Sequence, residues 1–338
     1  MRKIVSVILT LAFCISFVTG CGNGSALNGK NDTSTENASV ETKKIDIEVA
    51  ALKGPTSIGM VQIMENSKNG TALNNYNFTI AGTADEFTQN LIKGDVQIAA
   101  IPSNLAANLY NKSGGKVKII GINTLGVLYI LQTGDSIKTI QDLKGKTIYT
   151  TGKGTTPEFT LNYLLQSAGL DPEKDVTIEY KSEATEVAAM LATSGNVVAM
   201  LPQPYVTTVM MQNQNIKIAL DVTEQWEKYA GKNSTIVTGV VAVNSDFADK
   251  NPEAVQQFIK EYKESVLFVN ANVDSAAQLV EDFGIFNATV AKKAIPYCNI
   301  TFIDGTEMKT KVSAYLKVLF DQNPASVGGV MPGDDFYK

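Results

Sequence analysis

Histidine is absent from all 338 residues. The commonest general base at neutral pH and the commonest metal ligand are therefore both missing. Arginine occurs once, as Arg2, so an anion held elsewhere must be met by lysine, backbone N–H groups or hydroxyls rather than by a guanidinium fork. Basic charge is sparse too: the net charge is −5 at pH 7, and without a basic stripe the chain has no electrostatic footprint for nucleic acid. Cysteine occurs three times and tryptophan once. What remains is ordinary for a globular protein, with 44% hydrophobic and 19% charged residues. The length is too great for one small core, so two lobes are expected. No repeat of solenoid period is present.

The first residues read differently from the rest. Arg2-Lys3 precedes an apolar run from Ile4 to Val18, short for a membrane span and suited to a secretory signal. The run ends in Val18-Thr19-Gly20-Cys21, which resembles the bacterial lipobox. Residues 1–20 are thus expected to be a signal peptide and Cys21 to be lipidated; a plain cleavable signal or a short anchor is the other reading. Removing Arg2 and Lys3 from 29 basic residues leaves 27 against 34 acidic ones, a net −7. Residues 21–44 are polar, rich in Gly, Ser, Thr and Asn, and read as a flexible tether. The expected localisation is extracytoplasmic, anchored by lipid to the cell membrane. Cys14 leaves with the signal and Cys21 carries lipid, so Cys298 has no disulfide partner and reads as a small buried hydrophobe.

From Ile45 onward, strand patterns alternate with helix patterns. IDIEVAAL, YNFTIAGT, DVQIAAIP and KVKIIGINT read as strands, and the segments between them as helices, one of them begun by Ser103 as its N-cap. A second series follows Thr147. The alternation predicts an α/β fold with parallel or mixed sheets covered by helices. Two strands, near 125–131 and 236–243, lack a helix beside them and read as crossings between lobes. The expected organisation is 45–126 plus 240–338 for lobe 1 and 127–239 for lobe 2. Ligands gather at the C-terminal ends of strands in such sheets. Those ends carry Gly54-Pro55-Thr56, Gly82-Thr83 and Pro102-Ser103-Asn104.

The stretch TGKGTTPEF (151–159) is the most ligand-like. It lacks the spacing of a nucleotide P-loop. Pro157 suits a first helical turn, and the N–H groups from Gly154 to Glu158, with the Thr155 and Thr156 hydroxyls, would form a cup of partial positive charge. The alternative is that Thr155 or Thr156 caps its own helix.

In combination these features resemble the solute-binding proteins of bacterial ABC importers, within the nitrate, sulfonate and thiamine-precursor binding family. The carriers are the lipobox, Gly54-Pro55-Thr56, the step from Leu91 through Gly94-Asp95 to Ala99, and Asp142-Leu143-Lys144-Gly145-Lys146. Gly154-Thr155-Thr156-Pro157, Pro202-Gln203-Pro204-Tyr205 and the helix opening Asn251-Pro252-Glu253-Ala254-Val255 complete the set. The resemblance covers Ile45 to the C-terminus. It implies a type II periplasmic-binding fold of two lobes with mixed sheets joined by two crossing strands. It also implies a monomer that closes on a small-molecule ligand and presents it to a membrane permease, with no cofactor and no metal. The family's fungal enzymes of pyrimidine synthesis depend on a histidine, which this chain lacks, so the enzyme branch is disfavoured. A receptor passing its signal to a sensory system remains a third reading.

The expected ligand contacts are Pro55, Thr56, Thr83, Ser103 and Asn104 from one lobe, and Gly154, Thr155, Thr156, Gln203 and Tyr205 from the other. Each also reads as a turn or helix-start residue chosen for backbone geometry. Tyr129, on the first crossing, offers a ring to stack on a ligand or a core aromatic. Trp226 either lines the cleft or rests its indole on the core. Met210-Met211 reads as packing. The hydroxyl, amide and tyrosine groups suit a planar, polar, neutral heterocycle such as a pyrimidine, or a small weak anion.

Overall fold

The alternating pattern folds as two mixed sheets. The computed structural model describes residues 43–193, 197–231 and 234–338; the expected signal, Cys21 and the tether up to residue 42 lie outside them. In chain order the elements are β1 (Asp46–Leu52), α1 (Pro55–Ile58), α2 (Val61–Lys68), β2 (Asn75–Ala81), α3 (Thr88–Lys93), β3 (Ile98–Pro102), α4 (Ser103–Ser113) and β4 (Val117–Thr124). The second series is β5 (Leu128–Thr133), β6 (Thr147–Thr150), α5 (Thr156–Ser167), β7 (Thr177–Tyr180), α6 (Ala184–Thr193), β8 (Val198–Pro202), α7 (Tyr205–Gln212), β9 (Ile216–Asp221) and α8 (Val222–Ala230). The chain then returns through β10 (Gly239–Asn244), α9 (Ser245–Lys250), α10 (Pro252–Ala271), α11 (Val273–Asp282), α12 (Ala288–Ala294), β11 (Ile300–Ile303) and α13 (Gly305–Gln322).

One sheet has the order β11-β4-β10-β3-β1-β2 and the other β7-β6-β8-β5-β9. Each is the centre of an α/β lobe. In the first, β1 pairs in parallel with β2 and β3, while β10 runs antiparallel between β3 and β4. In the second, β6 is parallel to β7 and β8, and β5 runs antiparallel between β8 and β9. The strand that follows each crossing thus inserts in mid-sheet, antiparallel to its neighbour on either side. The first crossing is residues 125–127, a span of no more than about 11 Å at full extension, so the edges of the two sheets are held close.

Local sequence explains the main joints. Gly54 has φ 143°, a backbone open essentially to glycine, and it turns β1 directly into α1, where Pro55 occupies the first helical turn. Asp221 starts α8 by accepting from the N–H groups of Thr223 and Glu224. Along α10, Val255, Phe258, Ile259, Tyr262, Val266 and Val269 form a buried stripe at helical spacing.

Packing differs between the two faces. On one face a single apolar core runs through both sheets, from Ile101 and Ile122 to Ile130 and Ile148, joined by Trp226 and by Met308, Val312, Tyr315 and Leu316 of α13. On the other face the core is divided. Val49, Ile63, Phe258 and Tyr262 pack beneath the first sheet, and Leu131, Val187, Leu201 and Val206 beneath the second.

The structure amends some expectations and bears out others. Ser103 is not an N-cap: it lies inside α4, and its hydroxyl donates to the carbonyl of Val237 at 2.5 Å. The strand expected over 236–243 begins only at Gly239. Trp226 is fully buried, its indole N–H donating to the Ser234 hydroxyl at 3.0 Å, so it belongs to the core and not to the cleft. Met210 packs against the second-lobe cluster, but Met211 is exposed. Cys298 is buried and free, and burial pushes its thiol pKa well up.

Candidate ligand-binding site

The ends of β1, β2, β3 and β4 share one edge of the first sheet, where Gly239 lies between Pro102 and Thr124. The ends of β6, β7 and β8 share the corresponding edge of the second, where Leu128 lies opposite Pro202 and Tyr129 opposite Asp221. These are the edges the three-residue crossing joins, and residues from them meet across the seam.

The most direct meeting is at Asn104, which is fully buried. Its amide nitrogen donates to the carbonyls of Gly154 at 3.3 Å and Ser326 at 3.0 Å, and its amide oxygen accepts the Thr156 hydroxyl at 3.2 Å. Three of the expected site residues are thus brought together, though bonded to one another. Further along, the Glu183 carboxylate lies against Gly82, where an added Cβ would sit 3.0 Å from its Oε1. Tyr205 meets Phe286 edge to face, with ring centroids 5.0 Å apart. At the crossing itself, Asn299, with φ 43°, donates its side-chain amide to the Gly126 carbonyl and accepts the Leu125 N–H through its own backbone carbonyl.

The cup expected at the start of α5 is closed from within. The Gly154 N–H donates to the Glu158 carboxylate, so the helix supplies its own anion. The Thr155 hydroxyl donates to the Gly152 carbonyl at 2.7 Å, and the Thr156 hydroxyl is the one committed to Asn104. Thr155 occupies the N-cap position in extended conformation without a side-chain bond to a helix N–H.

The remaining expected residues are placed as follows. Pro55 is buried in the first turn of α1. The Thr56 hydroxyl donates to the Leu52 carbonyl at 2.8 Å. Thr83 caps a short 3-10 turn through the Glu86 carboxylate, which accepts its N–H at 2.8 Å. Gln203, joined to Pro204 by a cis peptide, accepts the N–H and hydroxyl of Thr207 through its amide oxygen. Tyr205 and Tyr129 are both nearly buried. Burial, then Glu183, raises the Tyr205 hydroxyl pKa to about 12; burial, then Asp221, does the same for Tyr129. Both are neutral donors at neutral pH.

Three residues that sequence reasoning missed are the more informative ones. Asn123 Oδ1, Thr124 Oγ1 and Thr238 Oγ1 are buried oxygens with no hydrogen-bond partner among the described residues. All three belong to the end of β4 and the entry to β10, at the seam. A buried polar atom without a partner is costly, about 1–3 kcal/mol, and calls for an explanation. Asn123 is also oriented. Its amide nitrogen donates to the Tyr262 hydroxyl at 3.2 Å, and that hydroxyl donates to the Thr56 carbonyl at 3.2 Å. A carbonyl only accepts, so Tyr262 must receive from Asn123, which leaves Oδ1 as an acceptor beside Gly239 and Thr56. The signal was available: Asn123-Thr124 is the polar end of an otherwise apolar strand, the same cue that drew attention to β1, β2 and β3.

Two of the cavities formed by the described residues are open at the surface. One of about 330 Å³ lies on the seam, lined by Lys53, Thr185, Tyr205 and the 281–287 segment. The other, about 600 Å³, lies along α5 toward Leu170 and the end of α13, away from the strand ends. Among the described residues no group of carboxylates and cysteine is placed to hold a metal ion.

Residues 70–294 match the family described as ABC transporter, phosphonate, periplasmic substrate-binding protein. A Brucella abortus protein described as a binding protein is 24% identical over 206 residues, 59% of this chain; the match spans 62% of that relative's length. Among solved structures, an ABC transporter protein from Parabacteroides distasonis superposes with a TM-score of 0.71 at 25% identity, covering 86% of this chain and 98% of its own. The aliphatic sulphonate binding protein SsuA of Escherichia coli gives 0.67 at 14% identity, with 85% and 92% covered. That second likeness is one of fold, the two-lobed periplasmic-binding type.

Proposed function

The chain belongs to the ABC-transporter phosphonate periplasmic substrate-binding family, and from that membership we propose that it is an extracytoplasmic solute-binding lipoprotein. It captures one small polar molecule between its lobes by hinge closure and delivers it unaltered to a membrane permease. Proteins of this family are binding proteins, not enzymes. The observation that carries the reading is that three of the six partnerless buried side-chain atoms among the described residues, Asn123 Oδ1, Thr124 Oγ1 and Thr238 Oγ1, gather at the edge of the first sheet that faces the second.

Their chemistry favours an uncharged ligand rich in N–H or O–H donors, of the kind a pyrimidine-like heterocycle presents. Asn123 offers an acceptor that would repel a bare oxyanion, the two threonines accept as readily as they donate, and the α5 cup is filled by Glu158. One observation supports a second reading, an oxyanion such as a phosphonate. Lys53 and Lys153, at the ends of β1 and β6, form no ion pair among the described residues.

Native mass spectrometry of protein purified without refolding would weigh whatever it retains. Thermal-shift titration with cytosine and with methylphosphonate then separates the two ligand classes, because a ligand bound only to the folded state stabilises it increasingly with concentration. Chemical conversion of a bound compound during either measurement would sink the proposal.

A further inference from the structure

The six buried side-chain atoms that have no hydrogen-bond partner among the described residues fall into two groups of three. One group is Asn123, Thr124 and Thr238 at the seam. The other is Asn162 Oδ1, Gln322 Oε1 and Ser326 Oγ, where α5 meets the end of α13 and the turn beyond it. This second group lies away from the strand ends. Two of its members, Asn162 and Gln322, line the cavity of about 600 Å³, a volume within the range of small-molecule sites.

The walls of this cavity are fixed by packing. Phe159, Asn162 and Gln166 line it and stand at i, i+3 and i+7 on one face of α5. Behind them, α5 is fastened to α13. The Thr160 and Tyr315 hydroxyls share a buried hydrogen bond of 2.8 Å. Trp226 of α8 packs against Tyr163 of α5, at 4.7 Å between ring centroids, and against Tyr315 of α13, at 5.1 Å. At the end of α13, Gln322 donates its amide nitrogen to the Gln166 oxygen at 3.1 Å. With the nitrogen so committed, its own oxygen is left buried with nothing to accept from.

The chemistry of the lining is one-sided. Phe159, Leu170 and Pro172 supply apolar surface, and the charges are the carboxylates of Asp171 and Glu173, with no lysine among the lining residues. Asp171 is already paired with Lys174 at 2.6 Å, whereas Glu173, exposed on the rim, forms no ion pair among the described residues. Both partnerless atoms of the lining are acceptors, so a ligand must bring donors. We infer that this cavity is a second ligand site, for a primary ammonium compound with a flat apolar body. The ammonium carries three donors, two for the Asn162 and Gln322 oxygens and one toward Glu173. Both amide residues are half-buried, so a change of side-chain rotamer brings each oxygen to the ligand. The apolar body lies against Phe159, Leu170 and Pro172. This site is independent of what the seam binds.

The test is isothermal titration of the full chain at pH 7 with 2-phenylethylamine and, separately, with phenylacetate, which has a similar body and the opposite charge. The amine should bind and phenylacetate should not. Asn162→Leu removes one acceptor and should weaken the amine about tenfold. Without amine this variant should melt no lower than the parent, because the lost oxygen had no partner. Glu173→Gln removes an exposed charge and should weaken the amine about threefold. Absence of binding at millimolar amine, or equal binding of phenylacetate, overturns the inference. So does an amine affinity unchanged in both variants, which would place the amine elsewhere on the protein. Glu173 is exposed, so its variant keeps the test decisive if Asn162→Leu folds poorly.

Discussion

Asn123 and Tyr262, 139 residues apart in the chain, hold each other at 3.2 Å, and this one bond decides which end of an amide faces the seam. Because Tyr262 gives its proton to the Thr56 carbonyl, the hydroxyl can only accept from Asn123. Tyr262→Phe removes both bonds and leaves a buried carbonyl and a buried amide N–H unpaired. Urea unfolding should register a loss of about 2–6 kcal/mol, summing two such groups. An unchanged midpoint would show that neither bond contributes.

Thr238→Val tests whether the partnerless hydroxyl exists for a ligand. The substitution keeps the shape and removes an oxygen that nothing in the described protein satisfies. Without ligand the variant should melt at the same temperature as the parent or higher. Affinity for the natural ligand recovered from the purified protein should fall about tenfold, the equivalent of about 1.4 kcal/mol. A variant that loses stability but keeps affinity would return Thr238 to a purely architectural role.

Gly239 is the contact point between Asn123 and Thr56. A Cβ there would sit 2.4 Å from Asn123 Oδ1 and 3.0 Å from Thr56 Cγ2. Gly239→Ala should therefore destabilise by about 1–3 kcal/mol through overpacking. Calorimetry reads the loss, and a neutral result would mean that Asn123 is free to move aside.

The pH profile of stability should be flat near neutrality, since no histidine titrates there. On the acid side, the backbone N–H groups of Lys138 and Thr139 hold Asp142 below its ordinary value of 3.8. Its contribution is present above that value and is lost as the pH falls through the lowered one. Asp142→Asn should make the acid limb shallower. On the alkaline side, Tyr129 and Tyr205 are raised from 10.0 to about 12. The folded state therefore binds protons that the unfolded state has shed, and stability drops as the pH climbs from about 10 toward about 12. Denaturation titrated against pH checks both limbs; a steep change around neutrality would contradict them.

Much of the architecture is written in local pattern. Ile47, Val49 and Ala51 alternate as a strand should, Gly54-Pro55 announces the turn into α1, and Thr155-Thr156-Pro157 announces α5. Short or polar elements are not visible in this way. β11 has four residues, and α8 carries Thr, Glu, Gln and Lys around its buried Val222 and Trp226. The site is legible only as a set of strand ends. That Ser103 bonds Val237 rather than capping a helix, or that Asn104 takes up the Thr156 hydroxyl 52 residues away, depends on how distant segments dock. No window of neighbouring residues encodes that, and the same holds for the polarity that Tyr262 imposes on Asn123.

The place of α13, behind every strand of both sheets, has a bearing on how the protein comes into being. Residues 305–322 leave the ribosome after all eleven strands named above, yet Tyr315 and Leu316 complete an apolar interior that both halves share. Until they arrive, Trp226 lacks one of its two aromatic neighbours and neither half can finish. A chain cut short before Gly305 would expose greasy surface on both bodies at once and offer it to proteases.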